Sequence, residues 1–246
     1  YGSPIATMNK YDSDGHVFFK NFWQDSGYTQ LWGTGMWITP DGESAYVIGM
    51  NDSGNHSYIF KIEDLGAQGD SQDGGYNYQN NTGTNSNGPA GLNAIHGRDN
   101  ADSTRTIYVA GDNNDGRANL QCYTEDGSWE MSWQNYYAPY YSTWKSVWAG
   151  HLGAITAGEG YFDGYNQPIV VQHTLDGSGT AWAKKFNQGQ IYRDGRFESV
   201  AEDADNNIWA VGWFEKFDND NIRKGLLVKM DHLGNVLWQK ALVSRD

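Results

Sequence analysis

The chain has 246 residues and a formal net charge of −13. Acidity on that scale argues against a nucleic-acid partner, because affinity for a phosphate backbone comes from Lys and Arg neutralising phosphates. No apolar run approaches the roughly twenty residues that a membrane-crossing helix needs, so no membrane span is expected.

Eleven Trp and sixteen Tyr stand against 19% charged residues, a balance that favours pleated, half-buried surfaces over helix interiors. Cys122 is alone, so there is no intrachain disulfide framework and no Cys-based metal site. It is expected to be a small, half-buried strand residue. No secretory leader is read at the start, and a chain that opens on Tyr1 is expected to be processed or to be a piece of something larger.

In chain order, residues 5–23 read as two strands, with His16-Val17-Phe18-Phe19 in the outer one. Residues 31–80 read as a four-stranded unit that opens with Leu31-Trp32-Gly33-Thr34-Gly35-Met36-Trp37-Ile38 and turns at Pro40-Asp41-Gly42. The polar passage Asn80-Asn81-Thr82-Gly83-Thr84-Asn85-Ser86-Asn87-Gly88 has no apolar period and reads as a connector. Further units follow over about 91–138 and 142–187.

The clearest unit covers about 197–243, where four β-rich runs are separated by Asp203-Ala204-Asp205-Asn206-Asn207, Asp218-Asn219-Asp220-Asn221 and Asp231-His232-Leu233-Gly234-Asn235. Asn, Asp and Gly tolerate positive φ and satisfy their own backbone groups, so these clusters are hairpin signals. Nowhere do apolar residues keep helical spacing, so almost no helix is expected.

Two anchors recur along the chain. One is a strand ending on Gly49, Gly111, Gly158 and Gly212, at spacings of 62, 47 and 54 residues. The other is a turn Gly at 15, 66, 127, 177 and 234, at spacings of 51, 61, 50 and 57. The distance from the first anchor to the second stays between 16 and 22 residues, so the two travel together.

A meander of four short strands cannot bury both faces alone, and repeated copies are its natural partners. The fold expected is all-β, a β-propeller of four-stranded antiparallel blades, with about four full blades and a half blade in one domain over 1–246, either a five-bladed ring with one thin blade or part of a larger ring. A β-sandwich is the competing architecture. The turn Asp231 to Asn235 and the run Val236-Leu237-Trp238-Gln239-Lys240 behind it resemble the blade repeats of quinoprotein-like bacterial propellers. That resemblance implies architecture, and with it the kinds of secreted, cell-surface or phage tail and baseplate proteins that use such modules.

Three Asp-rich turns could present oxygen ligands at alternate positions, as calcium requires. The residues concerned are Asp112 and Asn114 in one turn and Asp218 and Asp220 in another, with the Asp203 to Asn207 turn as a third. The turn-forming role of the same residues competes with that reading. Apart from calcium, no cofactor is implied.

Tyr136-Tyr137-Ala138-Pro139-Tyr140-Tyr141 is an aromatic passage in which Tyr137, Tyr140 and Tyr141 are candidates to stack on a sugar ring or a partner protein. The six histidines show no metal-ligand spacing and are expected at surface or packing positions.

Thr174 to Trp182 comes near the Ser/Thr-x-Asp-x-Gly-x-x-Trp turn of sialidase-type propellers but is one residue too long. An arginine triad could be drawn from Arg98, Arg105, Arg117, Arg193, Arg196 and Arg223. A quinone-dependent alcohol dehydrogenase would bring a vicinal cysteine pair, which a chain with one Cys lacks.

The reading is therefore a non-catalytic module for assembly or recognition, extracellular or in a virion, with other protein subunits or a surface glycan as partner. A carbohydrate-active hydrolase or a quinone-dependent dehydrogenase is the alternative. Carboxylates and arginines clustered at the axis would favour the enzyme.

Overall fold

The computed structural model describes residues 6–11, 17–23, 31–51, 57–62, 76–81, 89–113, 116–125, 130–137, 141–176, 179–186, 192–216 and 223–242. Among these residues every regular element is a strand, and no helix is present.

Strands β1 (Ala6–Tyr11) and β2 (Val17–Trp23) pair as an antiparallel ribbon. Four four-stranded sheets follow. The first is β3 (Leu31–Ile38), β4 (Ala45–Asn51), β5 (Ser57–Ile62) and β6 (Tyr76–Asn81). The second is β7 (Pro89–Asp99), β8 (Arg105–Asn113), β9 (Ala118–Glu125) and β10 (Glu130–Tyr137). The third is β11 (Thr143–Gly150), β12 (Gly153–Phe162), β13 (Tyr165–His173) and β14 (Thr180–Lys185). The fourth is β15 (Tyr192–Glu202), β16 (Ile208–Lys216), β17 (Arg223–Met230) and β18 (Val236–Leu242). Each sheet is an antiparallel meander in chain order.

The sheets lie face against face in sequence, and the leading strands β3, β7, β11 and β15 are successive neighbours. Strand β1 lies against β3 as β5 lies against β7, β9 against β11 and β13 against β15. The ribbon therefore occupies the place of the third and fourth strands of a preceding sheet. The arrangement is a propeller-like array. A two-layer sandwich is ruled out by the middle sheets, which bury both faces.

That two-sided burial follows from the strand period of two. On β8, Ile107 and Val109 join a core with Trp37, Tyr46, Ile48 and Ile59 of the sheet before. Tyr108 and Ala110, on the other face of the same strand, join a core with Trp144, Val147, Ala154, Ile169 and Val171 of the sheet after. Strand β13 divides in the same way: Ile169 and Val171 face backward, while Val170 packs forward with Phe197, Val200, Ile208 and Ala210.

The strand-end glycines are sites of close approach. A Cβ on Gly111 would stand 1.7 Å from the Gly91 carbonyl oxygen. On Gly158 it would stand 2.0 Å from that of Thr143, and on Gly212 2.0 Å from that of Arg196. Only glycine lets the second strand pass so near the first.

Beside each of these glycines, and beside Gly49 in the first sheet, the leading strand carries a β-bulge. The register shifts between Gly33 and Gly35, Leu92 and Ala94, Trp144 and Ser146, and Phe197 and Ser199. The inserted residues are Thr34, Asn93, Lys145 and Glu198.

Candidate functional site

A bulge re-aims one side chain out of the alternation, and in the first two sheets that side chain reaches the next sheet. Thr34 Oγ1 donates to the Leu92 carbonyl at 2.6 Å, and Asn93 Nδ2 donates to the Trp144 carbonyl at 2.8 Å. Leu92 and Trp144 are the residues just before their own bulges, so the two bonds are the same bond repeated. In the third and fourth sheets the inserted residues are charged, and a cluster forms there instead.

The Lys145 ammonium acts electrostatically on Asp112, Glu159 and Glu198. Burial pushes the Asp112 carboxyl up, against a hydrogen bond from Thr143 Oγ1 at 3.1 Å and the pull of Lys145. Burial likewise pushes Glu159 up, against Arg196 and Lys145. For Glu198, burial is outweighed by hydrogen bonds, and the carboxyl is held low. Arg196 Nε donates to its Oε1 at 2.6 Å and Trp213 Nε1 to the same oxygen at 2.9 Å.

Carboxylates and an arginine do gather around the bulges of the third and fourth sheets, then, as an enzyme would require. Glycoside hydrolysis needs one carboxyl kept as an acid and a second kept ionised across the scissile bond. Among the described residues, burial pushes the Asp112 and Glu159 carboxyls up, whereas Glu198 is held low and taken up by Arg196 and Trp213.

Four of the candidate triad arginines divide between the two ends of the sheets, while Arg117 follows β8, where its amide donates to Asn113 Oδ1 at 2.8 Å. Arg98 Nη1 donates to the Gly150 carbonyl at 2.8 Å, and Arg105 binds Asp99 at 2.8 Å and Asp41 at 3.1 Å, all at one end of the sheets. Arg196 lies at the other end, as does Arg223, which binds Glu215 at 2.9 Å. Cys122 is buried on β9, more deeply than expected, and burial pushes its thiol up to about 12.

Among the calcium candidates, Asp112 is bound to Thr143 and made harder to ionise, which opposes cation binding. Asn114, Asp218 and Asp220 lie outside the described residues. The Asp203 carboxylate is consumed by its own turn: Oδ1 accepts from the Asp205 and Asn207 amides at 3.0 and 2.8 Å, and Oδ2 accepts from Trp209 Nε1 at 2.8 Å. Among the described residues no three His, Cys, Asp or Glu side chains converge as a cation site.

Of the aromatic candidates, Tyr137 closes β10 and Tyr140 lies outside the described residues. Tyr141 is 72% exposed and meets Tyr161 edge-on at 5.9 Å between centroids. Its φ is +61°, held by the connection docking on the preceding turn, where the Ser142 amide donates to the Gly116 carbonyl at 3.0 Å.

Two histidines are packing residues of a kind that spacing does not reveal. His96 lies between Trp37 and Trp148, at 6.1 and 4.0 Å, and its Nδ1 accepts from the Ala149 amide at 3.1 Å. His173 is buried with Nε2 3.0 Å from Thr156 Oγ1. Burial lowers the pKa of His96 to about 4 and of His173 to about 3.

No protein-family model matches this sequence, and neither does any curated protein. Among solved structures, the fold is similar to Kuenenia stuttgartiensis Hydrazine Synthase, with a TM-score of 0.58 at 12% identity. The similarity covers 94% of this chain and 62% of that one, so the chain spans less than two thirds of the protein it matches. At that identity the likeness concerns the fold alone.

Proposed function

We propose that this chain is a non-catalytic recognition and assembly module, a rigid propeller-like scaffold that presents its loops and one free sheet face to other subunits or to a surface glycan. The observation that carries the reading is the self-pairing of the charged groups around the bulges of the third and fourth sheets. Arg196, Glu198 and Trp213 satisfy one another, and Asp112 is held by Thr143. Groups committed to each other stabilise a scaffold, and among the described residues Glu198 is held by Arg196 and Trp213 instead of standing free as a base beside Glu159.

The ring proposed is of the quinoprotein-like type, continued beyond the four sheets by the ribbon β1 and β2, and the setting proposed is extracellular or virion. The recognition surface centres on Tyr141 and Tyr161, two exposed rings at one loop end. Aromatic faces offer large contact area at low entropic cost.

The test is an immobilised oligosaccharide array read beside a panel of fluorogenic glycosides and sialosides. Retention without product release is expected, weakened at least tenfold by Tyr141→Ala. Product release that disappears in Glu159→Gln would replace this reading with the hydrolase.

A further inference from the structure

The forward face of the fourth sheet carries core positions against which, among the described residues, no further sheet is packed. Counting back from the strand-end glycine, the residues three and one before it point to the next sheet. They are Tyr46 and Ile48 in the first sheet, Tyr108 and Ala110 in the second, and Ile155 and Ala157 in the third, all buried in the cores between sheets. In the fourth sheet the equivalent residues are Trp209 and Val211. Trp209 is half-buried and Val211 is 41% exposed. Trp238 and Leu242 extend the same face and are 38% and 43% exposed.

A polar position repeats with them. Lys61 is paired across the strands with Tyr46, and its ammonium forms a buried ion pair with Glu125, at the end of the third strand of the next sheet. Lys229 is paired in the same way with Trp209. Its ammonium meets the Asp203 carboxylate of its own sheet at 3.5 Å.

From this correspondence we infer that the face of Trp209, Val211 and Lys229 is the seat of a further four-stranded sheet of the same repeat, carried outside these 246 residues. That sheet lays its first two strands over β16 and β17. It presents aliphatic side chains as Leu92, Ile95, Ile107 and Val109 do, and a carboxylate to Lys229 as Glu125 does to Lys61. The inference deepens the assembly reading, on which it rests, by naming the chemistry of the partner.

A glycan fits this face less well. The places where a sugar ring would stack are taken by cations: the Arg223 guanidinium lies 4.2 Å from the Trp213 centroid and the Lys229 ammonium 4.8 Å from that of Trp209. Such capped indoles pack against a sheet edge-on, as Trp238 already does to Trp209 at 5.5 Å and 82°.

The test is thiol labelling of the polypeptide as produced from its natural reading frame, with Val211→Cys compared with Leu233→Cys on an exposed turn. The native Cys122 is buried and gives little background. Labelling of Val211→Cys at least 100-fold slower than Leu233→Cys is expected, with at least tenfold recovery on adding Lys229→Glu. Should Val211→Cys fail to fold, acrylamide quenching of the fluorescence lost in Trp209→Phe gives the same readout.

Equal labelling at the two sites would overturn the inference. So would protection that vanishes on dilution along with a dimer in sedimentation, which assigns the face to a second copy. Cross-links from Val211→Cys to β1 or β2, or protection that requires added oligosaccharide, would also overturn it. Turnover dependent on Glu159 with a protected face would defeat the recognition reading and leave this inference standing, and an open face without turnover would do the reverse.

Discussion

The third and fourth sheets share a topology, a strand-end glycine and a bulge, yet they bury their residues differently. Strand β13 is buried from Gln167 to His173, whereas β17, its counterpart, buries only Leu226, Val228 and Met230. The third sheet has a neighbour on each face. The fourth has one behind it and, among the described residues, none in front. The same sequence logic thus yields a two-sided core element in one place and an amphipathic one in the other, and what separates them is the neighbour rather than the strand.

Charge placed on the forward face should break the comparison most sharply. Ala157 and Val211 occupy equivalent positions, the first fully buried and the second 41% exposed. Ala157→Asp strands a carboxylate between two sheets and is expected to destabilise by about 4 kcal/mol, the range for an uncompensated buried charge. Val211→Asp in the 246-residue chain should stay within about 0.5 kcal/mol, as surface substitutions do. Denaturant unfolding of both variants measures the contrast, and similar losses would show that the two faces are equally covered.

The glycine crossings should sharpen the comparison by removing it. Gly158→Ala and Gly212→Ala each drive a methyl to 2.0 Å from a carbonyl oxygen of the same sheet. The clash does not involve the neighbouring sheet, so both should cost about 2 kcal/mol or more, as overpacking does. A large loss at Gly158 with none at Gly212 would mean that the fourth sheet relaxes where the third cannot.

These crossings also explain why so much of the fold was legible. Gly111, Gly158 and Gly212 recur because the backbone crossing recurs, and the turn residues recur because their carboxylates bond their own amides, as Asp231 does with Leu233 and Asn235 at 2.9 and 2.8 Å. The bulges were not legible. Thr34, Asn93, Lys145 and Glu198 share a backbone position but no chemistry, so no repeated letter marks them. For the same reason the charged cluster at Lys145 went unread, being assembled from three sheets by residues that look like ordinary strand polars. His96 and His173 sat on strands with no local sign of the Trp rings that enclose them.

A smaller effect separates sheet interfaces by pH. His96 is enclosed by Trp37 and Trp148 from the sheets on either side, and burial lowers its pKa to about 4 from 6.5. A depressed histidine binds fewer protons folded than unfolded. Its contribution is therefore fully present above the unfolded value and is lost as pH falls from about 6.5 towards 4. The Tm should drop across that window, and His96→Phe should flatten the drop. His173, lowered to about 3, extends the loss further into acid and remains in the variant. A wild-type Tm unchanged between pH 6.5 and 4 would show that the ring is solvated.

The smallest effect concerns positive φ in two connections. Tyr141 before the third sheet and Asn206 inside the fourth both sit at +61°. Asn reaches that region readily, because its short side chain bonds locally, whereas the left-handed conformation costs a bulkier residue roughly 1–2 kcal/mol. Both side chains are exposed, so packing contributes little to either exchange. Tyr141→Asn should stabilise by about 1 kcal/mol and Asn206→Tyr should destabilise by a similar amount. If Tyr141→Asn stabilises the protein while also weakening oligosaccharide retention, the strain at Tyr141 is maintained for recognition. If it does neither, the ring is placed there by the docking of Ser142 on Gly116 and serves the fold alone.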